Sequence, residues 1–247
     1  MSEPWVLIET SRRGGWVALC QPPAGGGESE ARILQVVLDP ARRHNRDLAP
    51  AIQDLLHQAG LSARQVRGVM ISIGPGSYTG LRVGVMTAKT LAWATNRPLV
   101  AIPTFPIIAE QTPMSARRVD VIADALQGAI YRQRFYRGSQ HWEPEDNLQI
   151  EPASAWCEAL TREAGARDAV WVSGPAVEQY DSSIPKMIPR VAPEQRLPGV
   201  QAMLAVGLRL SALTRTELLR LEPLYLRGSS AEEKAARKAA ASAPQSA

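Results

Sequence analysis

The densest concentration of chemically suggestive residues is Gly74-Pro-Gly-Ser-Tyr-Thr-Gly80, which separates the apolar run Val69–Ile73 from a long stretch without proline that reaches Asn96. The apolar run is too short for a helix and predicts a buried strand entering a turn. Ser77 and Thr79 are both good helix N-cap types, and the spacing from Gly80 to Ala94 predicts a helix. A strand, a glycine turn and a helix N-terminus can hold an anion, because free backbone N–H groups and the helix dipole point to one place. Gly74, Gly76 and Ser77 are the candidate phosphate contacts, with the carboxylates Glu9 and Asp124 as candidate neighbours of a metal. The stricter motifs are absent. No lysine follows a glycine as a P-loop requires, and three residues separate Gly76 from Gly80 where a dinucleotide fingerprint has two. The same residues therefore also fit a tight strand-to-helix turn with no ligand.

Other chemistries have less support. His44 and His57 lie too far apart for a four-residue metal pair on one helix face, and none of the three histidines stands in a nucleophile or metal motif, so no metal site is expected and a peptidase is poorly supported. Cys20 and Cys157 are distant in sequence and fit a reducing compartment. With 28 basic and 24 acidic residues the chain is mildly basic. Its arginines group at 12–13, at 42, 43 and 46, at 64 and 67, and at 132, 134 and 137, which fits a solvated surface or, if the groups converged on one face, nucleic-acid contact. Charge or proline interrupts every apolar run, and no leader-like segment opens the sequence, so a soluble cytoplasmic protein is expected.

These residues sit in a predicted α/β order. Trp5–Glu9 and Trp16–Cys20 read as a hairpin, Arg32–Leu38 as a third strand, and Asn45–Ala59 as an amphipathic helix closed by Gly60. The central strand and long helix follow, then a strand at Pro98–Ile102, which completes a first unit near Pro103. A smaller unit over 104–228 carries a short helix at Thr104–Glu110, strands at Val119–Asp124, Ala129–Arg137 and Asn147–Glu151, a helix capped by Ser154, and a strand at Ala169–Val172. A helix from Gly199 or Val200 to Leu213 could return to the first unit, and Glu222–Gly228 reads as extended. Residues 22–30 read as a flexible loop, and the alanine- and charge-rich tail at 229–247 should be disordered or at best a frayed helix.

The long helix has a second property. Gly80, Gly84, Ala88 and Ala92 recur every four residues and line one side with almost no side chain. A helical glycine costs roughly 1 kcal/mol relative to alanine, so two on one strip imply that another backbone approaches there. Leu81 and Val85 flank the strip.

Three strands, a helix, a strand, a helix and a strand, followed by a reduced second unit, resemble the two-lobed actin-like and sugar-kinase-like (ASKHA) α/β fold. More specifically, Gly74-Pro-Gly-Ser-Tyr-Thr-Gly-Leu-Arg-Val-Gly84 resembles the glycine signature of the TsaB (YeaZ) family, and Ile8-Glu-Thr-Ser11, His44–Leu56, Asp124-Ala125 with Ile130-Tyr131, and Pro223-Leu-Tyr-Leu-Arg227 resemble its other segments in order. Glu9 and Leu126 depart from the family's aspartate and arginine, and Ser173-Gly-Pro-Ala176 is a poor substitute for the glycine-rich adenine loop of an ATPase. The resemblance implies a non-catalytic subunit that binds TsaD, with the ATPase TsaE, for threonylcarbamoyl transfer to the adenosine beside the tRNA anticodon. It implies no cofactor of the chain's own, ATP and metal residing on TsaD and TsaE, a homodimer when alone, and tRNA met only through the complex. Leu48, Ile52 and Leu55 on the first helix, with Gly80, Leu81, Gly84, Val85, Ala88 and Ala92 on the second, are the expected partner surface. Glu9, Gly74, Gly76 and Ser77 would then be a vestigial phosphate loop. The alternative is a small-molecule kinase or ATPase of the same fold.

Overall fold

A computed structural model of the chain describes residues 3–22, 31–39, 44–165 and 169–226. Most of the expected 22–30 loop, Arg42, Arg43, the side chains of His44 and Arg46, Arg227 and the expected 229–247 tail lie outside the described residues. The first lobe is a five-stranded sheet of β1 (Trp5–Glu9), β2 (Trp16–Gln21), β3 (Arg32–Val37), β4 (Gly68–Ser72) and β5 (Leu99–Ile102) in the order β3-β2-β1-β4-β5. The β1-β2-β3 meander is antiparallel, while β1, β4 and β5 run parallel. Both faces of this sheet are buried, so its central strands read as continuous apolar runs.

The period-two alternation of β1 divides the core. Val6 and Ile8 face α1 (His44–Gln58) and α2 (Tyr78–Thr95), with Leu48, Ile52, Leu55, Val85, Ala88 and Ala92. Trp5 and Leu7 face the other side, where α6 (Val200–Arg209) buries Met203, Leu204 and Val206 against Met70 and Val100. Gly207 permits this packing, since a Cβ there would stand 2.5 Å from the Met70 sulfur. The first lobe is thus completed by residues from far along the chain. α6 ends at Arg209 and not at the expected Leu213: Leu210 turns extended and the Leu213 N–H donates to the Leu99 carbonyl at the edge of β5.

The second lobe has the order β10-β6-β7-β8, from β6 (Arg118–Asp124), β7 (Ala129–Arg137), β8 (Trp142–Pro144) and β10 (Val170–Ser173), with β9 (Gln149–Pro152) paired to β7. Alternation again splits the faces. Ile122 and Val172 join Trp156 and Leu160 of α4 (Ala153–Glu163), while Val119, Val121 and Ala123 join Phe105 and Ile108 of α3 (Thr104–Ala109). Pro152, not Ser154, occupies the N-cap of α4, so the helix begins with no side-chain cap. The strand β8 and the single turn α5 (Val177–Tyr180) are additional to the expected elements; each is too short to show a period.

A third addition matters more. α7 (Arg215–Arg220) starts at a capping box, Thr214 Oγ1 accepting from the Glu217 N–H while the Glu217 carboxylate accepts from the Thr214 N–H. Thr-Arg-Thr-Glu217 carries that signature in the sequence, and a six-residue helix is simply too short for periodicity to reveal. Leu218 plugs α7 into the first-lobe core beside α2.

Candidate functional site

The glycine turn is tight because the chain's own backbone surrounds it. Gly74 adopts φ +111°, and its N–H and C=O pair with Thr104, at 3.2 Å to Oγ1 and 2.8 Å from the Thr104 N–H. A Cβ at Gly76 would lie 2.3 Å from the Ser11 carbonyl oxygen. That same oxygen accepts the Ser77 N–H at 2.5 Å, and Ser77 Oγ accepts the Gly80 N–H at 3.3 Å as the N-cap of α2. On the far side Leu224 of the C-terminal segment donates its N–H to the Ile73 carbonyl at 2.7 Å. Its carbonyl oxygen would be 3.3 Å from a Cβ on Gly74. The glycines therefore admit β1 on one side and residues 223–226 on the other.

Glu9 completes this cluster from the end of β1. It is wholly buried, its Oε1 accepting the Ser11 N–H at 2.6 Å. Burial pushes its pKa up, against the opposing pull of hydrogen bonding from Ser11 and Ser72 and of the Arg12 charge. Of the expected phosphate loop Glu9, Gly76 and Ser77 thus meet at Ser11, while Gly74 pairs with Thr104, and the N–H groups of Gly74, Ser77 and Gly80 that an anion would use already have acceptors. Asp124 stands elsewhere, its Oδ1 accepting the Leu126 N–H at 2.9 Å in a left-handed turn formed by Leu126, Gln127 and Gly128. Among the described residues no group of three or more His, Cys, Asp or Glu side chains could hold a metal ion.

The nine residues expected to face a partner are buried, and of them Ile52 also reaches the floor of the groove between α1 and α2. Leu48, Ile52, Leu55, Leu81, Val85, Ala88 and Ala92 are at most 6% exposed, and Gly80 and Gly84 are buried with them. What approaches the small-residue strip at Gly84 is not another backbone, as expected, but the chain's own side chains of Thr10 and Ile71. A Cβ on Gly84 would lie 2.0 Å from Thr10 Oγ1 and 3.1 Å from Ile71 Cδ1. Helical spacing identifies the apolar side of a helix but not what covers it, and here β1 and β4 cover it.

The outward sides of the same two helices form an open groove of about 850 Å³. Ala49, Gln53 and His57 of α1 and Met86, Thr90 and Leu91 of α2 line it, and Met86 is 63% exposed. On its other flank α2 is held by α7: Lys89 Nζ donates to the Leu219 and Leu221 carbonyls at 2.9 and 3.0 Å, and the Arg215 guanidinium lies 4.1 Å from the Trp93 ring centre.

The second lobe contains a buried ion cluster. Asp120 is fully buried and accepts from Arg134 Nε at 2.7 Å and Nη2 at 3.0 Å, and from Trp156 Nε1 at 2.9 Å. Arg132 reaches Asp146 at 2.8 Å and Glu151 at 2.5 Å. Burial would lower the pKa of both arginines, but the facing carboxylates raise it, Asp120 foremost. Every charge there has a partner, which identifies a structural network. Arg137 is likewise committed, to the carbonyls of Thr112, Pro113 and Ala116. The 132–137 arginine group thus belongs to the architecture.

Two α/β lobes, the first with a β3-β2-β1-β4-β5 sheet between α1 and α2 on one face and α6 on the other, define an actin-like and sugar-kinase-like protein with a reduced second lobe. A family model described as TsaD, tRNA N6-adenosine threonylcarbamoyltransferase, matches residues 38–145. The chain is 32% identical over 131 residues to the Bacillus subtilis tRNA threonylcarbamoyladenosine biosynthesis protein TsaB, covering 52% of this chain and 56% of that one. It is 26% identical over 200 residues to the Escherichia coli protein of the same description, covering 78% and 84%. A Pseudomonas aeruginosa crystal structure, of an uncharacterized protein with similarity to peptidase YEAZ, superposes with a TM-score of 0.71 at 25% identity, over 92% of this chain and 100% of that one. The chain is thus similar in sequence and in fold to TsaB (YeaZ) proteins.

Proposed function

We propose that the chain is a non-catalytic subunit in tRNA threonylcarbamoyladenosine biosynthesis, which docks TsaD through the outward groove of α1 and α2. The groove carries the reading: it is open, its lining mixes apolar side chains with polar ones such as Gln53 and His57, and it leaves Met86 exposed as a large apolar contact. In this reading TsaD, with TsaE, holds ATP and metal and transfers the threonylcarbamoyl group to the adenosine next to the anticodon. The chain needs no cofactor of its own and works in the cytoplasm; among the described residues no helix is long and apolar enough to cross a membrane. Without TsaD the same groove pairs two copies as a homodimer. The kinase or ATPase alternative has less support, because Ser77 and Gly80 spend their N–H groups within the chain and Leu224 lies over Gly74.

Size-exclusion chromatography with light scattering tests this. The chain mixed with TsaD from its own organism gives a one-to-one complex in place of a self-associated species. Met86→Glu, which places a charge in the groove without touching the core, weakens that complex by at least about tenfold at unchanged melting temperature. Separate peaks for the two wild-type proteins, with ATP and TsaE also present, refute the proposal.

A further inference from the structure

Where β1, the glycine turn and the C-terminal segment meet, the surface carries an aromatic and cationic patch. The rings of Tyr78 and Tyr225 pack with centroids 4.9 Å apart and planes 33° from parallel. The Arg82 guanidinium lies 4.7 Å from the Tyr78 ring centre and stands beside the Tyr225 hydroxyl. Tyr225 is 37% exposed and Arg82 is exposed. The bond from the Ser77 N–H to the Ser11 carbonyl sets the backbone that continues into Arg12 and Arg13 next to the residue before Tyr78; Arg13 is exposed and its carbonyl accepts from Arg12 Nη1, while Arg12 also acts on Glu9. Glu222 is the acid of the same segment that acts on Tyr225.

Arg82 differs from the other well-placed arginines. Arg132, Arg134 and Arg190 are anchored by carboxylates, and Arg137 by carbonyls. Among the described residues no carboxylate pairs with Arg82; its contacts are the two tyrosines. A tyrosine pair that can take a base on its exposed ring, with a guanidinium held at its edge for the phosphate, is the arrangement by which single-stranded nucleic acid is bound without sequence readout. The chain's net charge of +4 favours the approach of a polyanion. Arg82 stands one turn before Met86 on α2, so the patch borders the groove.

We propose that Tyr78, Arg82 and Tyr225, with Arg12 and Arg13 beside them, hold an unpaired nucleotide of RNA and its flanking phosphates. That the RNA is tRNA rests on the function proposed above; the patch and its chemistry do not. A nucleotide bound here would lie at the rim of the partner surface, so that the chain would contribute directly to tRNA binding by the assembled complex.

The test is fluorescence anisotropy with a labelled, unmodified tRNA transcript, titrated with the full chain alone and with its TsaD complex at several salt concentrations. Arg82→Gln lowers affinity at least about fivefold and reduces the salt slope by about 1. Tyr225→Ala lowers affinity by a similar factor, whereas Tyr225→Phe, which keeps the ring, retains it. Melting temperatures establish that each variant folds, and light scattering establishes that each still binds TsaD. Wild-type affinity in Arg82→Gln and Tyr225→Ala overturns the proposal, and so does a loss of TsaD binding in these variants with tRNA binding by the chain alone unchanged, which would make the patch a protein contact. If wild-type chain and TsaD do not associate, the docking reading fails while the titration of the chain alone still decides this one.

Discussion

Gly84→Ala puts the inward packing of α2 to a quantitative test. The new methyl would lie 2.0 Å from Thr10 Oγ1, about 1 Å inside the closest approach that real Cβ atoms show, and 3.1 Å from Ile71 Cδ1. Neither neighbour yields easily: Thr10 and Ile71 are fully buried, Thr10 is β-branched, and both are flanked by paired strands. Overpacking of this kind sits toward the upper end of its range, about 3 kcal/mol. Replacing a helical glycine by alanine returns about 1 kcal/mol. The net loss is about 2 kcal/mol, a fall in Tm of roughly 4–8 °C for a chain of this size. Thermal and urea unfolding measure it, and a double-mutant cycle with Thr10→Ala assigns it, because removing Oγ1 relieves the closest contact and should recover at least about 1 kcal/mol. A Gly84→Ala protein as stable as wild type, or more stable, would refute the inward packing. Unchanged stability with lost TsaD binding would instead mean that the strip faces the partner.

Two further outcomes follow from the buried charges. Asp120→Asn removes the buried anion from Arg134 and leaves it Glu163, 3.0 Å away, as a carboxylate partner, so it should cost about 3 kcal/mol, the low end for breaking a buried pair, in urea unfolding followed by the fluorescence of Trp156, whose indole N–H bonds Asp120; a loss under about 1 kcal/mol would show that the network is solvated. Glu9 has its pKa raised by burial, so in the folded state it holds its proton above the ordinary value of 4.5, and its contribution to stability falls as pH rises from there through the folded-state pKa. Glu9→Gln keeps an acceptor for the Ser11 N–H and carries no charge, so its Tm relative to wild type should climb across that interval; a constant difference would mean that Glu9 titrates normally.

Sequence alone determined most of the elements of the first lobe and the family signature. The short apolar runs of β1 and β2 and the uninterrupted helical spacing of α2 are local properties, and residue type narrowed the N-cap of α2 to Ser77 or Thr79, of which the folded chain uses Ser77. The glycines likewise announced close approach, since nothing else explains their cost in a helix and a turn. Local pattern could not say what approaches. That Gly84 meets Thr10, Gly76 meets Ser11 and Gly74 meets Leu224 depends on contacts up to 150 residues apart in the chain, which only the folded arrangement brings together. The same limit applies to Leu48, Ile52 and Leu55, whose apolar stripe would look alike under a sheet or under a partner. Tertiary structure placed the sheet there, left Met86 and the groove outside, spent Arg132, Arg134 and Arg137 internally, and set Tyr225 against Tyr78, because burial is decided by which surfaces meet.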